Sequence, residues 1–381
     1  MPSELQVNTI TEATSGSGIT FAKDIIPATP LSHRNMVING EMLVDQRGTT
    51  ASAVTGSTYK IDRYIDFYGN GPVHSVQRVT ETPTNLSDFF KYSMKIKQTT
   101  ASGSATPGTD DYNFLQYTVE GQDCAHLKLG TAHARTFTLS FYVKSTVAGI
   151  YSVGINNGAY NRSFSKKYTI SSANTWERIS LTFTGDTTGT WATDNTVGLS
   201  IRWNLGGGTD RTATEGSWTS GYQDGADGST GANTFSNTVN AEFHITGIQL
   251  ELGSLATPFE HKSYADELAR CQRYFTVIHN VNDGAQYMFT GYFWATGQGL
   301  ANYQPPVAMR ASPAVVSPNS SNSLTFYVAG STNNFDYVTI NGATPHNVNL
   351  TMQGEGTGTA GHAGGVAAAG NATYMYLTAE F

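Results

Sequence analysis

Four aromatic side chains, Tyr160, Trp191, Trp218 and Tyr222, stand in polar, glycine-rich stretches instead of apolar runs. Rings in such surroundings can stack on pyranose C–H groups while neighbouring planar polar side chains take the hydroxyls, which is the chemistry of a sugar-binding surface. The same rings could equally anchor their loops. Trp176, Trp203 and Trp294 are embedded in strand patterns and read as core. Asp62, Asp66, Asp110, Asp111, Glu120, Asp224 and Asp227 could supply the carboxylate pair of a glycosidase, but adjacent or loop-borne aspartates read first as turn formers. Asp62-Arg63, within YKIDRYIDFY, reads as a structural ion pair near a sheet edge.

Other chemistries lack their residues. There is no G-x-S-x-G elbow, no H-E-x-x-H or Cys-x-x-Cys among nine scattered histidines and two cysteines, and no phosphate-loop fingerprint. Gly206-Gly207-Gly208 runs into polar loop, not into a helix. The expectation is a non-enzyme with no catalytic residue, no metal ligand and no cofactor. The net charge is −7 without any basic block, which argues against nucleic acid as partner because phosphate neutralisation needs a clustered positive field. No apolar run of about 18 residues occurs, so no membrane insertion is expected, and MPSELQVNTITEATSG has neither the basic start nor the apolar stretch of a secretory signal. Cys124 and Cys271, far apart in different kinds of element, are expected as reduced, buried thiols.

The elements that must position these rings are strands. Forty glycines, 20 Tyr, 18 Phe and only 13% charged residues, against about a quarter charged in ordinary soluble domains, suit pleated faces joined by Gly and Asn turns. Period-two runs recur at Asn35–Met42, broken by Asn39-Gly40, then at 59–68, 73–79, 90–98, 114–119, 136–144, 150–155, 163–170, 176–184, 197–203 and 243–252. This is the pattern of an antiparallel two-sheet sandwich. A polar insertion at 205–240 carries Trp218, Tyr222 and Phe235, and exceeds ordinary loop lengths. Helical periodicity is confined to 264–273, and further strands are predicted at 287–294, 324–328, 337–340, 348–352 and 373–380, with Gly354–Gly370 as a low-complexity loop. The fold class expected is all-β, with residues 1–32 an extended arm, 33–262 a jelly roll, 263–275 a linker helix and 276–381 a smaller β-sandwich. Arg270, Arg273, Asp266 and Glu267 read as a solvated or interdomain face of that helix.

The stretch 35–275 resembles bacteriophage tail-fibre and virion structural proteins. The resemblance rests on NGEM and DQRG (39–48), YKIDRY (59–64), FTLSFYVK (137–144), TWE (175–177), WTSG (218–221), ITGIQLELG (245–253), ATPFE (256–260) and ELARCQRYF (267–275). It implies a jelly roll like those of carbohydrate-binding modules, carried on a homotrimeric virion fibre that is made in the host cytoplasm and touches polysaccharide or lipopolysaccharide at the host surface. The arm would join other tail or virion proteins and trimerise. In many such modules an Asp early in the closing strand helps hold calcium; Ile245-Thr246-Gly247-Ile248 stands there instead, so no metal is expected. Two alternatives stand beside this reading: a decoration, head-fibre or adaptor protein without a receptor role, and a polysaccharide-cleaving tailspike.

Overall fold

The computed structural model describes residues 33–48, 52–53, 58–69, 73–83, 89–100, 108–279, 287–317, 322–328, 331–354, 356–368 and 374–381. The expected arm, residues 1–32, lies outside them.

Alternation of apolar and polar side chains lets each strand bury one face, and two sheets pressed together by those faces make the jelly-roll sandwich of the first module. One sheet has six strands in the order Ser52–Ala53, His74–Val79, Ser93–Gln98, Glu242–Leu252, Phe137–Ser145 and Glu177–Phe183. The other has seven, Trp218–Ser220, Arg162–Ile170, Gly149–Asn157, Val197–Gly207, Tyr112–Glu120, Tyr64–Gly69 and Thr58–Ile61. Neighbours pair antiparallel throughout. Phe141 and Trp203, from opposite sheets, meet edge to face at 5.9 Å, with Leu139, Phe137, Ile201, Leu199 and Ile245 in the same core. The chain alternates between the sheets as it proceeds, and the 242–252 strand enters the centre of the six-stranded sheet last.

That closing strand explains the motifs around it. Its outward Gln249 and Glu251 are buried, not solvated, because the segment after the strand folds back over them. Glu251 accepts hydrogen bonds from the Thr257 amide (2.9 Å) and hydroxyl (2.7 Å), and Gln249 Oε1 accepts from the Glu260 amide at 2.9 Å. ATPFE is thus the lid on the polar face of ITGIQLELG. The stretch expected as a strand at 35–42 is instead a coil laid along the same strand. Asn35 Nδ2 donates to Ile248 O and the Ile248 amide donates to Gly40 O, while Asn39 turns at φ 60°.

Ser263 caps the helix Tyr264–Gln272 by accepting from the Asp266 amide at 3.1 Å, while its hydroxyl donates to the Asp266 carboxylate. Glu267 and Cys271, one turn apart, face the jelly roll, and Glu267 accepts from the Asn39 amide. Arg273 forms a two-pronged bond to Glu120 of the seven-stranded sheet at 2.9 and 3.1 Å. The helix is therefore fused to the first core through Glu267, Cys271 and Arg273, while Asp266 is exposed and bonds with its own cap. Cys124 and Cys271 are both buried and free.

The C-terminal module pairs a three-stranded sheet (Phe275–His279, Met375–Thr378, Ala314–Val316) with a seven-stranded one. The latter runs Ser331–Phe335, Leu324–Val328, Ala363–Ala368, Tyr287–Ala295, Gln298–Tyr303, Asn347–Gln353 and Tyr337–Thr344. Phe289, Phe293, Phe326, Leu350, Val366 and Leu377 form its core. Three expectations are corrected here. The segment read as low-complexity loop contains the strand Ala363–Ala368, which is held by antiparallel pairing on both sides, with Tyr287–Ala295 and with Leu324–Val328, despite the low strand propensity of Gly and Ala. Trp294 is 53% exposed and not core. Asp62 and Arg63 do not pair with each other: they form the turn between two strands, with Arg63 at φ 76°. Asp62 accepts from the Gln46 amide and side chain (both 2.7 Å), and Arg63 pairs with Glu380.

Candidate functional site

The structure sorts the four candidate rings into two pairs on opposite sides of the 162–170 strand. Trp218 belongs to the short edge strand, opposite Phe164, and packs on that core ring at 5.3 Å. Its indole N–H donates to Thr184 O at 2.7 Å. Trp191 meets Trp218 edge to face at 5.3 Å, donates to Thr188 O, and lines a cleft of about 300 Å3 with Cys124, Lys128, His133 and Thr193. The loop carrying Trp191 is held by Asp186, which takes both prongs of Arg162 at 2.7 and 2.8 Å and the Thr188 amide. Burial alone would raise the Asp186 carboxyl; those donors outweigh it and hold the group below the usual carboxylate range. With its N–H satisfied and its ring against the core, Trp218 seals the sandwich edge.

Tyr160 and Tyr222 lie on the outer face of the seven-stranded sheet, half-buried and edge to face at 5.3 Å. Alternation along Val197–Gly207 sends Leu199, Ile201 and Trp203 inward and Ser200, Arg202 and Asn204 outward. Arg202 rises between the rings, 4.5 Å from Tyr160, 4.3 Å from Tyr222 and 4.6 Å from Phe114. Its guanidinium donates to Gln116 Oε1 at 2.7 Å and to Asp224 Oδ1 at 2.6 Å. Burial pushes the Asp224 carboxyl up, against the pull of Arg202. Arg211 extends the surface, 5.2 Å from Tyr222 and 5.0 Å from Tyr112, and Phe67 stacks on Phe114 at 5.0 Å.

Local chemistry sets these positions. Tyr160 closes the 157–161 hairpin at φ 52°, a conformation costly to a bulky residue. The buried Asn157 holds that turn by accepting from the Asn161 and Arg162 amides (3.0 and 3.1 Å) and donating to Asn161 Oδ1 and Thr190 O. Tyr222 and Asp224 reach the face because the 205–240 insertion folds over it. Asn156 donates to Gln223 O at 3.0 Å, and a helix at Thr230–Asn237, not expected from TGANTFSN, seats Ala232 and Phe235 in the core. Sequence reasoning missed Arg202, Arg211, Tyr112 and Phe114 as part of the site. Alternation in GLSIRWN puts Arg202 on the outer face, and that was the one signal available.

Among the described residues no group of three or more His, Cys, Asp or Glu is placed to hold a metal ion. Among the described residues no helix is long and apolar enough to cross a membrane.

No protein-family model and no curated protein matches the sequence. Solved structures similar to part of the chain include the enzymatically active domain of bacteriophage CBA120 tailspike protein 4. It is 14% identical with a TM-score of 0.30, over 57% of this chain and 21% of that one. A putative sugar binding protein from Bacteroides thetaiotaomicron is 12% identical with a TM-score of 0.31, over 58% of this chain and all of that one. The family 11 carbohydrate-binding module of a Clostridium thermocellum cellulase is 14% identical with a TM-score of 0.27, over 55% and 99%. The alignment thus spans about a fifth of the tailspike chain. Similarity this remote leaves the chemistry of the chain to its own side chains.

Proposed function

We propose that this chain is a non-enzymatic bacteriophage fibre or receptor-binding protein that attaches the virion to glycans on the host surface, as a homotrimer joined to other tail or virion proteins through its N-terminal arm. The observation that carries this reading is the Tyr160–Tyr222 pair braced by Arg202 on an outer sheet face. Rings offer stacking faces to sugar C–H groups, and the half-buried Arg211 beside Tyr222 offers donors to hydroxyls or carboxylates. Arg202 is nearly fully buried and doubly hydrogen-bonded, so the rings are pre-positioned and little ordering is needed on binding. The surface is shallow, so each contact is weak. Several copies per particle raise the overall affinity by effective concentration.

The test is adsorption of fibres carrying Tyr222→Ala or Tyr160→Gly. Loss of one stacking ring should weaken binding per site by about fivefold, from roughly 1 kcal/mol of ring contact. Tyr160→Gly is informative because glycine keeps the left-handed turn and removes only the ring. Adsorption equal to the parent fibre in both variants would refute the assignment, and release of soluble oligosaccharide from host polysaccharide would replace it with a tailspike activity. Trp218→Ala, by contrast, should lower stability, since it opens the sandwich edge.

A further inference from the structure

The exposed aromatics of the C-terminal module are gathered on one surface. Along Tyr287–Ala295 the burial alternates: Phe289 and Phe293 point into the core, and Thr290, Tyr292 and Trp294 point out. Tyr292 and Trp294 are 49% and 53% exposed, and Tyr287 and Tyr327 are 66% and 41% exposed and pack edge to face at 5.5 Å. Cross-strand register brings polar groups into the same surface. Tyr292 lies opposite Leu300 and Ala363, and Asn302 lies opposite Asn349 with an amide hydrogen bond of 2.9 Å. That bond uses one donor and one acceptor, leaving Asn302 Oδ1 and Asn349 Nδ2 at an exposed face.

A groove of about 770 Å3 lies on this face beside Tyr292, lined also by Thr290, Leu300, Asn302, Asn341 and Asn349 among others. Its floor is the Gly/Ala strand: Ala363 and Gly364 lie directly across from Tyr292 and Gly291. At Gly365 a Cβ would come within 2.6 Å of the Tyr287 ring. At Gly364 a Cβ would meet Tyr327 O at 1.9 Å, so the two glycines are required by close packing of the neighbouring strands. No carboxylate, guanidinium or ammonium group lines it.

We infer that this outer face is a second ligand site, for a neutral glycan. A charged ligand would enter without a counter-charge. An apolar partner, or a second copy of the same face, would bury the Asn and Thr groups, at about 1–3 kcal/mol for each left unpaired. A chain of hydroxylated rings supplies both an apolar face for Tyr292 and paired donors and acceptors for the amides. The site shares no residue with the Tyr160–Arg202–Tyr222 surface and stands or falls separately from it.

Trp294 is the one tryptophan after residue 276, so it reports on this module alone. The full chain, biosynthetically labelled with fluorotryptophan, is titrated with neutral gluco-, galacto- and manno-oligosaccharides and with oligogalacturonate, and followed by fluorine NMR. The Trp294 resonance should shift saturably with a neutral sugar and stay still with oligogalacturonate. Tyr292→Ala, and Ala363→Leu, which fills the groove from its floor, should each raise the Kd by about tenfold or more; Tyr222→Ala should leave it unchanged. The inference fails if no neutral sugar moves Trp294 at about 10 mM, a Kd too weak to count as a site. It also fails if Tyr292→Ala binds like the parent chain. A Trp294 shift that follows protein concentration without sugar, together with a faster-sedimenting species, would assign the face to a second copy instead.

Discussion

His244 shows how one side chain of the closing strand answers to its neighbours. It points outward from the six-stranded sheet, lies across from Lys144 on one side and Lys95 on the other, and is nevertheless buried. Glu81 and Glu242 approach its Nε2 at 3.8 and 3.5 Å, and Trp176 covers it edge to face. Burial first, and the Lys144 ammonium second, push the imidazole down from 6.5 to about 4. A histidine that charges later in the folded than in the unfolded chain contributes its full stability above about pH 6.5. That contribution drains away as pH falls toward about 4, because the unfolded state takes up the proton first. Glu81, held low by its hydrogen bond with Lys144, adds its own loss once pH falls to the ordinary carboxylate value of about 4.5 and below, where the unfolded chain takes up the proton first. Urea midpoints measured across that window should fall for the parent chain and fall less for His244→Gln; parallel curves would show that His244 is not the titrating group.

At the scale of elements, the 242–252 strand carries the tightest constraint. A bulge between Thr246 and Gln249 breaks its ladder with Phe137–Ser145, and Gly247 sits in it at φ 60°. A Cβ there would lie 2.6 Å from the Phe90 ring and 2.8 Å from Tyr142. Those rings, with Phe259 of ATPFE, form the small cluster under the lid. Gly247→Ala adds left-handed backbone strain to overpacking, so a loss of about 2–4 kcal/mol is expected by chemical denaturation. A change under about 0.5 kcal/mol, typical of a surface site, would mean that the bulge can relax. The Thr230–Asn237 helix makes the opposite point: its sequence is a poor helix former, and packing of Ala232 and Phe235 on the sheet keeps it folded.

Across the whole molecule, the two modules share a buried polar seam. Glu380 accepts from Arg47 at 2.9 Å and from the fully buried Arg63, whose guanidinium lies 3.4 Å from the Tyr274 ring. Gln46 joins Asp62 to Phe275 O, and Arg310 reaches Ala379 O (2.7 Å), Glu380 O (3.0 Å) and Asn195 O (2.8 Å). DQRG and YKIDRY are therefore joint-forming motifs, and their chemistry is architectural. Glu380→Ala leaves Arg63 buried without its carboxylate, which should cost about 3–5 kcal/mol. Calorimetry of the parent chain should give one cooperative transition, and that of the variant two, as the modules uncouple. A single unshifted transition in Glu380→Ala would show that the seam does not couple them.

Strand positions, the sandwich class, the helix at 264–272 and the buried Trp203 were legible because alternation and capping are local properties of the chain. Which outward face is then covered is not local. YMFTGYFWA is apolar on both faces, so Trp294 read as core until the layer count showed only one side buried. Alternation puts Gln249 and Glu251 on the face opposite the apolar residues, but does not say that ATPFE closes over them. Asp62 and Arg63 read as a pair because they are adjacent, yet the true partner of Arg63 is 317 residues away. The four candidate rings followed from the polar, glycine-rich stretches around them. Their division into an edge seal, Trp191 and Trp218, and an outer surface, Tyr160 and Tyr222, required the register of the strands beneath them and the fold of the insertion above. Alternation says that a side chain leaves the core, and only the tertiary structure decides what it meets there.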